Sequence, residues 1–575
     1  MLFPQNNKLR QKKELAKYWE FLIDENESYQ AEDLFASFKG QPIAVPASWN
    51  EQFAELRDFL GIAWYKTSFN LPWGFDDKTI FIRFGSVNYL AKVWLNGHYL
   101  GKHEGGHLPF EFEVGNYLKE ENILLVQVDA KLAFDRVPPG NLKEQVLQDQ
   151  HQVGIYPAAT FDFFPYAGIH RPVVLYAVNK KHIKDFKVET QIDNKAGIVK
   201  VDLTQTGELE ARLELNHNNK LYQASFTNNQ AQLKIPNAKL WSPQEPNLHS
   251  LSISLLANGK EIDKYVLDIG IRTIEVRADK LLLNGQEILL KGFGKHEDFP
   301  VIGRGEMPAA TIKDYSLMNW LGANSFRTSH YPYSEETLAL ADKLGYLVIA
   351  ETASVGLYFK EDGLAKRLEL TKQFARELIE RDKNHPSVII WSLANEARTT
   401  RPGVVEYFKE VYDEAKNFDT TRPITIVSDM FFAEDSFDFF DMVCLNIYRG
   451  WYQESGRLAD GFEKFGEILD KTFERFKKPI IVTEFGADAI AGHHSLPAEM
   501  FSEEYQLEFL EGYIKEMNKR DYVVGQHIWN MCDFKTAQGI KRPMAINFKG
   551  VFTRDRRPKM AAHMLKRIWN AENKE

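Results

Sequence analysis

The chain has only two cysteines, Cys444 and Cys532, among 575 residues. So few thiols exclude a disulfide framework and suit a reducing compartment. Each lies in or just after an apolar strand-like run, where a buried core residue is expected. Long hydrophobic runs are also missing. No stretch reaches the roughly 18–20 apolar residues of a membrane span. Met1 to Asn7 show no charged segment leading into an apolar one, so a cytoplasmic protein is expected. A formal charge of −9 is small for this size and gives no reason to expect nucleic acid or membrane as a partner. Low-complexity segments and short internal repeats are absent as well.

What is present is a long soluble chain, 44% hydrophobic and 26% charged, too long for one ordinary core. Its 13% aromatic content suits sugar-stacking surfaces and large cores equally. Residues 1–179 read as mainly β. Short alternating runs, such as Thr79 to Phe84 and Ala91 to Leu95, are broken by Asn-Gly and Gly-Gly turns, and Asn96-Gly97 is a hairpin signal. Residues 180–276 continue the alternation, as in Val199 to Leu203 and Leu251 to Leu255, over a length that suits an immunoglobulin-like sandwich. From 277 to 575 apolar strands alternate with helical periodicity. Strands are predicted at 288–290, 324–326, 347–350, 388–391, 424–427, 442–445, 480–482 and 523–528. Eight such strands in roughly 300 residues fit a (β/α)8 barrel. A doubly wound sheet is the alternative, but polar residues at so many strand ends favour the barrel.

Those strand ends carry the chemistry. Val388-Ile389-Ile390 runs into Asn395-Glu396, and Ile480-Ile481-Val482 runs into Glu484. Barrel enzymes place their reacting groups at the carboxyl ends of the strands. Two glutamates there are the minimum equipment of a retaining glycosidase, one as proton donor and one as nucleophile. The other strand ends offer His296 and Glu297, Arg327 and His330, Glu351, Asp429, Asn446 and Tyr448, and Trp529 and Asp533. A structural salt bridge competes with catalysis for either glutamate alone. An internal salt bridge competes with substrate contact for Arg327, and core burial competes with a sugar platform for Trp529. His296-Glu297 and His493-His494 hint at metal, but neither shows a complete ligand set. No metal and no cofactor are expected.

Longer strings carry a resemblance. Val93-Trp94-Leu95-Asn96-Gly97, Gly105 to Phe110, Tyr166 to Pro172, and Arg381 to Ser387 leading into Asn395-Glu396 resemble the signatures of glycoside hydrolase family 2. The resemblance spans essentially the whole chain. It implies a multidomain β plus α/β fold: an N-terminal sugar-binding jelly-roll β-sandwich, an immunoglobulin-like β-sandwich and a C-terminal TIM barrel. It also implies that Glu396 is the acid/base and Glu484 the nucleophile. Asn395 would bond the sugar 2-hydroxyl, Tyr448 would sit by the nucleophile, and Arg327 would keep Glu484 ionised. Asn446 belongs to the same substrate-binding set.

Within the family the chain resembles the β-glucuronidases. Asn547-Phe548-Lys549 matches the Asn-x-Lys pair that binds a sugar carboxylate at C6, with an ordinary solvated loop as the competing reading. Tyr452 and Arg542 resemble supporting contacts, Asp162 and His330 resemble sugar-hydroxyl contacts, and Trp529 would wall the sugar. The implied activity is retaining hydrolysis of β-D-glucuronides by a homo-oligomer, dimer or tetramer. The runners-up are a β-galactosidase or galacturonidase of the same family and a non-catalytic carbohydrate-binding protein. Ala397 stands where the resemblance implies proline after the acid/base, and Arg542 stands one residue farther from Asn547 than the resemblance implies. Leu357 to Gly363 is short where some relatives carry a long loop over small aglycones, which implies an open mouth.

Overall fold

The computed structural model describes residues 1–15, 17–141, 154–359, 363–397, 399, 401 and 403–572. Two antiparallel sheets form the N-terminal sandwich. A six-stranded sheet faces a five-stranded one across a core that includes Trp49, Tyr65, Phe84 and Val126. Asn96 and Gly97 both take positive φ, 53° and 88°, and close the hairpin between Leu90–Leu95 and His98–Glu104. That is the left-handed pair a tight two-residue hairpin turn requires. The second sandwich packs a three-stranded sheet against a four-stranded one around Val199, Leu213, Ile253 and Ile269.

Eight parallel strands then close a barrel: β1 Leu290–Gly294, β2 Ser325–Arg327, β3 Leu347–Glu351, β4 Val388–Asn395, β5 Ile424–Ser428, β6 Val443–Asn446, β7 Ile480–Glu484 and β8 Val523–Ile528. α-Helices lie between most successive strands. Among the described residues the β5–β6 connection instead holds two short 3₁₀ turns, Phe431–Ala433 and Asp435–Asp438. A three-stranded meander beginning at Ile274–Arg277 precedes the barrel, so the expected 276/277 boundary falls inside its first strand. Trp241, Ile274, Leu281 and Leu283 plug the barrel base against Leu290, Ile349, Ile389, Ile390, Cys444 and Ile481. Above this apolar layer the buried residues turn polar: Ser325, Arg327, Glu351, Ser392 and His527. The barrel therefore grades from a sealed hydrocarbon base to a charged mouth. Cys444 and Cys532 are both free and buried. Among the described residues no helix is long and apolar enough to cross a membrane.

Two of the sequence signatures turn out to join domains. Asn384 accepts from Val188 N at 2.8 Å and donates to Phe186 O at 3.0 Å, stapling the second sandwich to the barrel base. Lys383 pairs with Asp185, and His385 with Asp342 at 2.6 Å. The string before Asn395-Glu396 thus lies at the end of β4 opposite those two residues. Arg171, from the other signature, donates to His107 O and Pro332 O, each at 2.7 Å, and meets Glu297 at 3.2 Å. Gly106 sits where a Cβ would fall 1.7 Å from Asn88 Oδ1, so only glycine fits this contact.

Candidate active site

The strand ends converge on Arg327, whose side chain is fully buried at the end of β2. Its Nη1 donates to both oxygens of Glu351, at 2.8 and 2.7 Å, and its Nη2 bonds Glu484 Oε1. Burial opposes the guanidinium charge, but Glu351 and Glu484 more than offset it and raise its pKa. Glu351 also accepts from Ser392 Oγ at 2.7 Å and lies 2.8 Å from His330 Nδ1. Burial works against the Glu351 charge, yet Arg327, His330 and Ser392 together hold its pKa below the ordinary range. His330 Nε2 approaches Glu484 Oε1 at 3.4 Å.

Tyr448 donates its hydroxyl to the other oxygen of Glu484 at 2.6 Å. Burial first and Glu484 second push the Tyr448 pKa far up, so the phenol keeps its proton and acts as a donor. On the far side of this network, Asn446 Nδ2 donates to Glu396 Oε1 at 2.7 Å and to Asn395 Oδ1 at 3.1 Å. Asn446 Oδ1 in turn accepts from Thr483 Oγ1 at 3.0 Å. Asn395 Oδ1 also faces Arg327 Nη1 at 3.4 Å, which leaves the NH2 end of that amide for another partner. Glu396 takes a left-handed backbone, φ 47°, and its N–H bonds Val427 O at 2.9 Å. A non-glycine residue held there costs about 1–3 kcal/mol, an expense concentrated at functional sites. Trp529 is buried, its ring stacked on His330 at 4.9 Å and 5.9 Å from the Arg327 guanidinium carbon.

A second cluster is built mainly from loops. Arg542 grips Asp162 through two bonds, 2.8 and 2.7 Å, and reaches Tyr452 OH at 2.9 Å. Asn547 Nδ2 donates to the same Asp162 at 2.6 Å. Asp162 comes from the N-terminal sandwich, so the first domain enters the barrel mouth. Burial opposes the Asp162 charge, but Arg542 outweighs it and lowers the carboxyl pKa. Lys549 is fully buried; its ammonium bonds Asp488 and, at 3.1 Å, Tyr452 OH. The rings of Tyr452, Trp451 and Tyr448 lie 4.9, 5.2 and 5.8 Å from that nitrogen, a cation–π setting. Two of three ammonium protons are thereby used, leaving one for a further acceptor.

Glu396, Glu484, Asn395, Asn446, Tyr448, His330 and Trp529 thus share one contact network, and Asp162, Tyr452, Arg542, Asn547 and Lys549 share another. A ring contact at 5.3 Å between Tyr448 and Tyr452 links the two. Sequence reasoning missed Asp488, the counter-ion of Lys549, because a loop acid after Glu484 carries no periodic signal. Glu351 was visible as a strand-end acid but had no role. His296 bonds Tyr331 OH at 3.0 Å, whereas His493 and His494 face Glu499 and Glu504 at 3.7 and 2.8 Å. Among the described residues no group of three or more metal-ligating side chains is assembled. Of the short mouth segment, Leu357, Tyr358 and Phe359 are buried, and 360–362 lie outside the described residues.

Three family profiles follow one another along most of the chain: the family 2 glycosyl hydrolase sugar binding domain at 12–179, the family 2 glycosyl hydrolase profile at 181–272, and the family 2 TIM barrel domain at 274–573. A β-glucuronidase of Paenibacillus borealis is 39% identical over 99% of this chain and 98% of its own length. The Rattus norvegicus β-glucuronidase is 38% identical over 100% of this chain and 93% of its own. Among solved structures, β-D-glucuronidase of Dictyoglomus thermophilum superposes with a TM-score of 0.90 at 41% identity, covering 99% of both chains. The Ruminococcus gnavus β-glucuronidase in complex with C6-substituted uronic isofagomine superposes with a TM-score of 0.94 at 35% identity, again over 99% of both. With the profiles in order along its length and relatives this similar over nearly all of it, the chain belongs to glycoside hydrolase family 2.

Proposed function

We propose that this glycoside hydrolase is a retaining β-glucuronidase. The observation that carries the reading is the loop cluster: Lys549, Arg542 and Asn547 gather hydrogen-bond donors beside the strand-end carboxylates, with Asp488 and Asp162 as counter-ions of the lysine and the arginine. A uronic acid gives the Lys549 ammonium a charge-assisted bond that a neutral hydroxymethyl cannot. The relatives named above, one of them holding a uronic sugar mimic, support the same reading.

In the proposed reaction Glu484 attacks the anomeric carbon while Glu396 protonates the departing oxygen. Arg327 and Tyr448 keep Glu484 charged and oriented. Water then cleaves the glycosyl-enzyme with Glu396 acting as base. Asn395 offers its NH2 to the sugar 2-hydroxyl, a contact that strengthens in the transition state. Asp162 and His330 bond other hydroxyls, and Trp529 walls the ring. The reading includes a homo-oligomer in the cytoplasm, which two buried free thiols suit and which light scattering and cell fractionation test.

Parallel assays on aryl β-glucuronide, β-galactoside and β-galacturonide decide the substrate: the glucuronide is expected to dominate, and a preferred galactoside would end the proposal. Proton NMR of the first-formed product should show the β-anomer. Lys549→Ala should lower the ratio of glucuronide to glucoside efficiency by about ten- to a hundredfold, the worth of one bond to a charged group. An unchanged ratio would reduce Lys549 to an ordinary lysine.

A further inference from the structure

Lys559 stands just before the last helix, Met560–Glu572, and touches none of the groups assigned to the sugar. Its side chain is nonetheless fully buried. Taking an ammonium out of water costs several kcal/mol unless all its protons are used. Here all three are. They go to Ala489 O at 2.7 Å, Phe548 O at 2.9 Å and Asp533 Oδ1 at 2.7 Å.

The identity of these acceptors is informative. Ala489 directly follows Asp488, the counter-ion of Lys549. Phe548 lies between Asn547 and Lys549. The two loops already touch, since Ala489 N donates to Phe548 O at 3.0 Å and Phe548 N to Asp488 Oδ1 at 2.8 Å. Phe548 O therefore receives two donors, one from the facing loop and one from Lys559. Asp533 belongs to the turn after β8. Gly550 packs against that turn so tightly that a Cβ there would lie 2.1 Å from Asp533 N. One ammonium thus ties together the loops after β7 and β8 on either side of the Asp488–Lys549 pair.

We infer that Lys559 is a positioning residue for uronate recognition, fixing the spacing between Asp488 and the Asn547–Lys549 segment. The inference rests on the glucuronate reading above. Without the clamp the ammonium of Lys549 keeps its chemistry but loses its place, and a misplaced donor forfeits much of its effect on binding and rate.

The test is a double-mutant cycle on the full-length protein with Lys559→Met, Lys549→Ala and the combination. Each is assayed on aryl glucuronide and aryl glucoside and followed by thermal melting. The substrate ratio within one preparation does not depend on the folded fraction. Lys559→Met should lower the glucuronide-to-glucoside ratio by about tenfold or more, the lower end of one charged hydrogen bond, mainly through KM. In the Lys549→Ala background it should lower the ratio no further. A ratio that stays constant while the melting temperature drops would make Lys559 a structural anchor and overturn the inference, as would additive losses in the double variant. If Lys549→Ala alone leaves the ratio unchanged, the glucuronate reading fails instead. Should Lys559→Met not fold, Lys559→Gln keeps a donor for the two carbonyls, and an intermediate ratio is expected; a wild-type ratio would count against the clamp.

Discussion

The two ends of the proposed sugar site are built differently. At the reacting end nearly every group sits at or just past a strand end: Arg327 on β2, Glu351 on β3, Asn395 and Glu396 on β4, Asn446 on β6 and Glu484 on β7. Parallel strands hydrogen-bonded to both neighbours fix these positions, and the side chains need only short bonds to complete the network. At the other end Asp162, Tyr452, Asp488 and the segment from Arg542 to Lys549 come from four stretches of chain and two domains, with only Asn547 in a strand, the two-residue Ile546–Asn547. Ion pairs do there what the sheet does at the reacting end. In the proposed reading, chemistry rests on the backbone, whereas substrate choice rests on paired charges. Substitutions at the first end should therefore stop turnover, and those at the second should redirect it.

The largest effect tests the reacting end. Glu484→Ala should remove turnover by several orders of magnitude, since no glycosyl-enzyme forms without the nucleophile. Normal rates from a purified, folded variant would break the assignment. Glu396→Gln should cost about 10²–10⁴-fold with alkyl alcohols as leaving groups, and much less with a readily leaving phenolate. Equal losses for both leaving groups at the glycosylation step would show that Glu396 donates no proton.

Arg327→Met strips the partner from two buried carboxylates, Glu351 and Glu484. Breaking such a pair on one side costs about 3–5 kcal/mol, measurable by urea unfolding. A loss under 1 kcal/mol would mean the strand-end network is not held by charge. Asp162→Asn probes the loop end. It removes a doubly bonded counter-ion from Arg542, and glucuronide efficiency should fall about tenfold while the cleavage step itself, read in single turnovers at saturation, changes little. An equal fall in both would erase the distinction between the two ends.

The smallest effect concerns pH. Asp162 has its pKa lowered in the folded protein, against burial, chiefly by Arg542. Its stabilising contribution is therefore present above the unfolded value, about 4, and is lost as pH falls through the folded one. The stability gap between wild type and Asp162→Asn should be widest near neutrality and close below about pH 4. A gap that widens in acid would reverse the sign of the argument.

The same contrast explains what could be read from sequence. The barrel strands announce themselves as apolar runs, and their terminal polar residues follow by position, so Glu396, Glu484, Asn446 and Tyr448 were legible from pattern alone. The loop groups have no period. Asn547 and Lys549 were found only through a motif, and Asp488 was not found. Arg542 stands one residue farther from Asn547 than the resemblance implies, yet its guanidinium reaches Asp162. The Arg381–Ser387 string shows the converse. It was read for its link to Glu396, but its side chains hold the second sandwich to the barrel base. A signature can mark a joint between domains as readily as a reacting group.

Asp162 has one more consequence. It is carried by the first domain but bonds Arg542 and Asn547 of the third. In the proposed reading, exchanging the leading sandwich would leave Glu396 and Glu484 in place and remove a charged partner of Arg542 and Asn547. For anyone recombining such enzymes, the seam between sandwich and barrel is a place to graft preference without rebuilding the catalyst. The residue to carry across with it is this single aspartate.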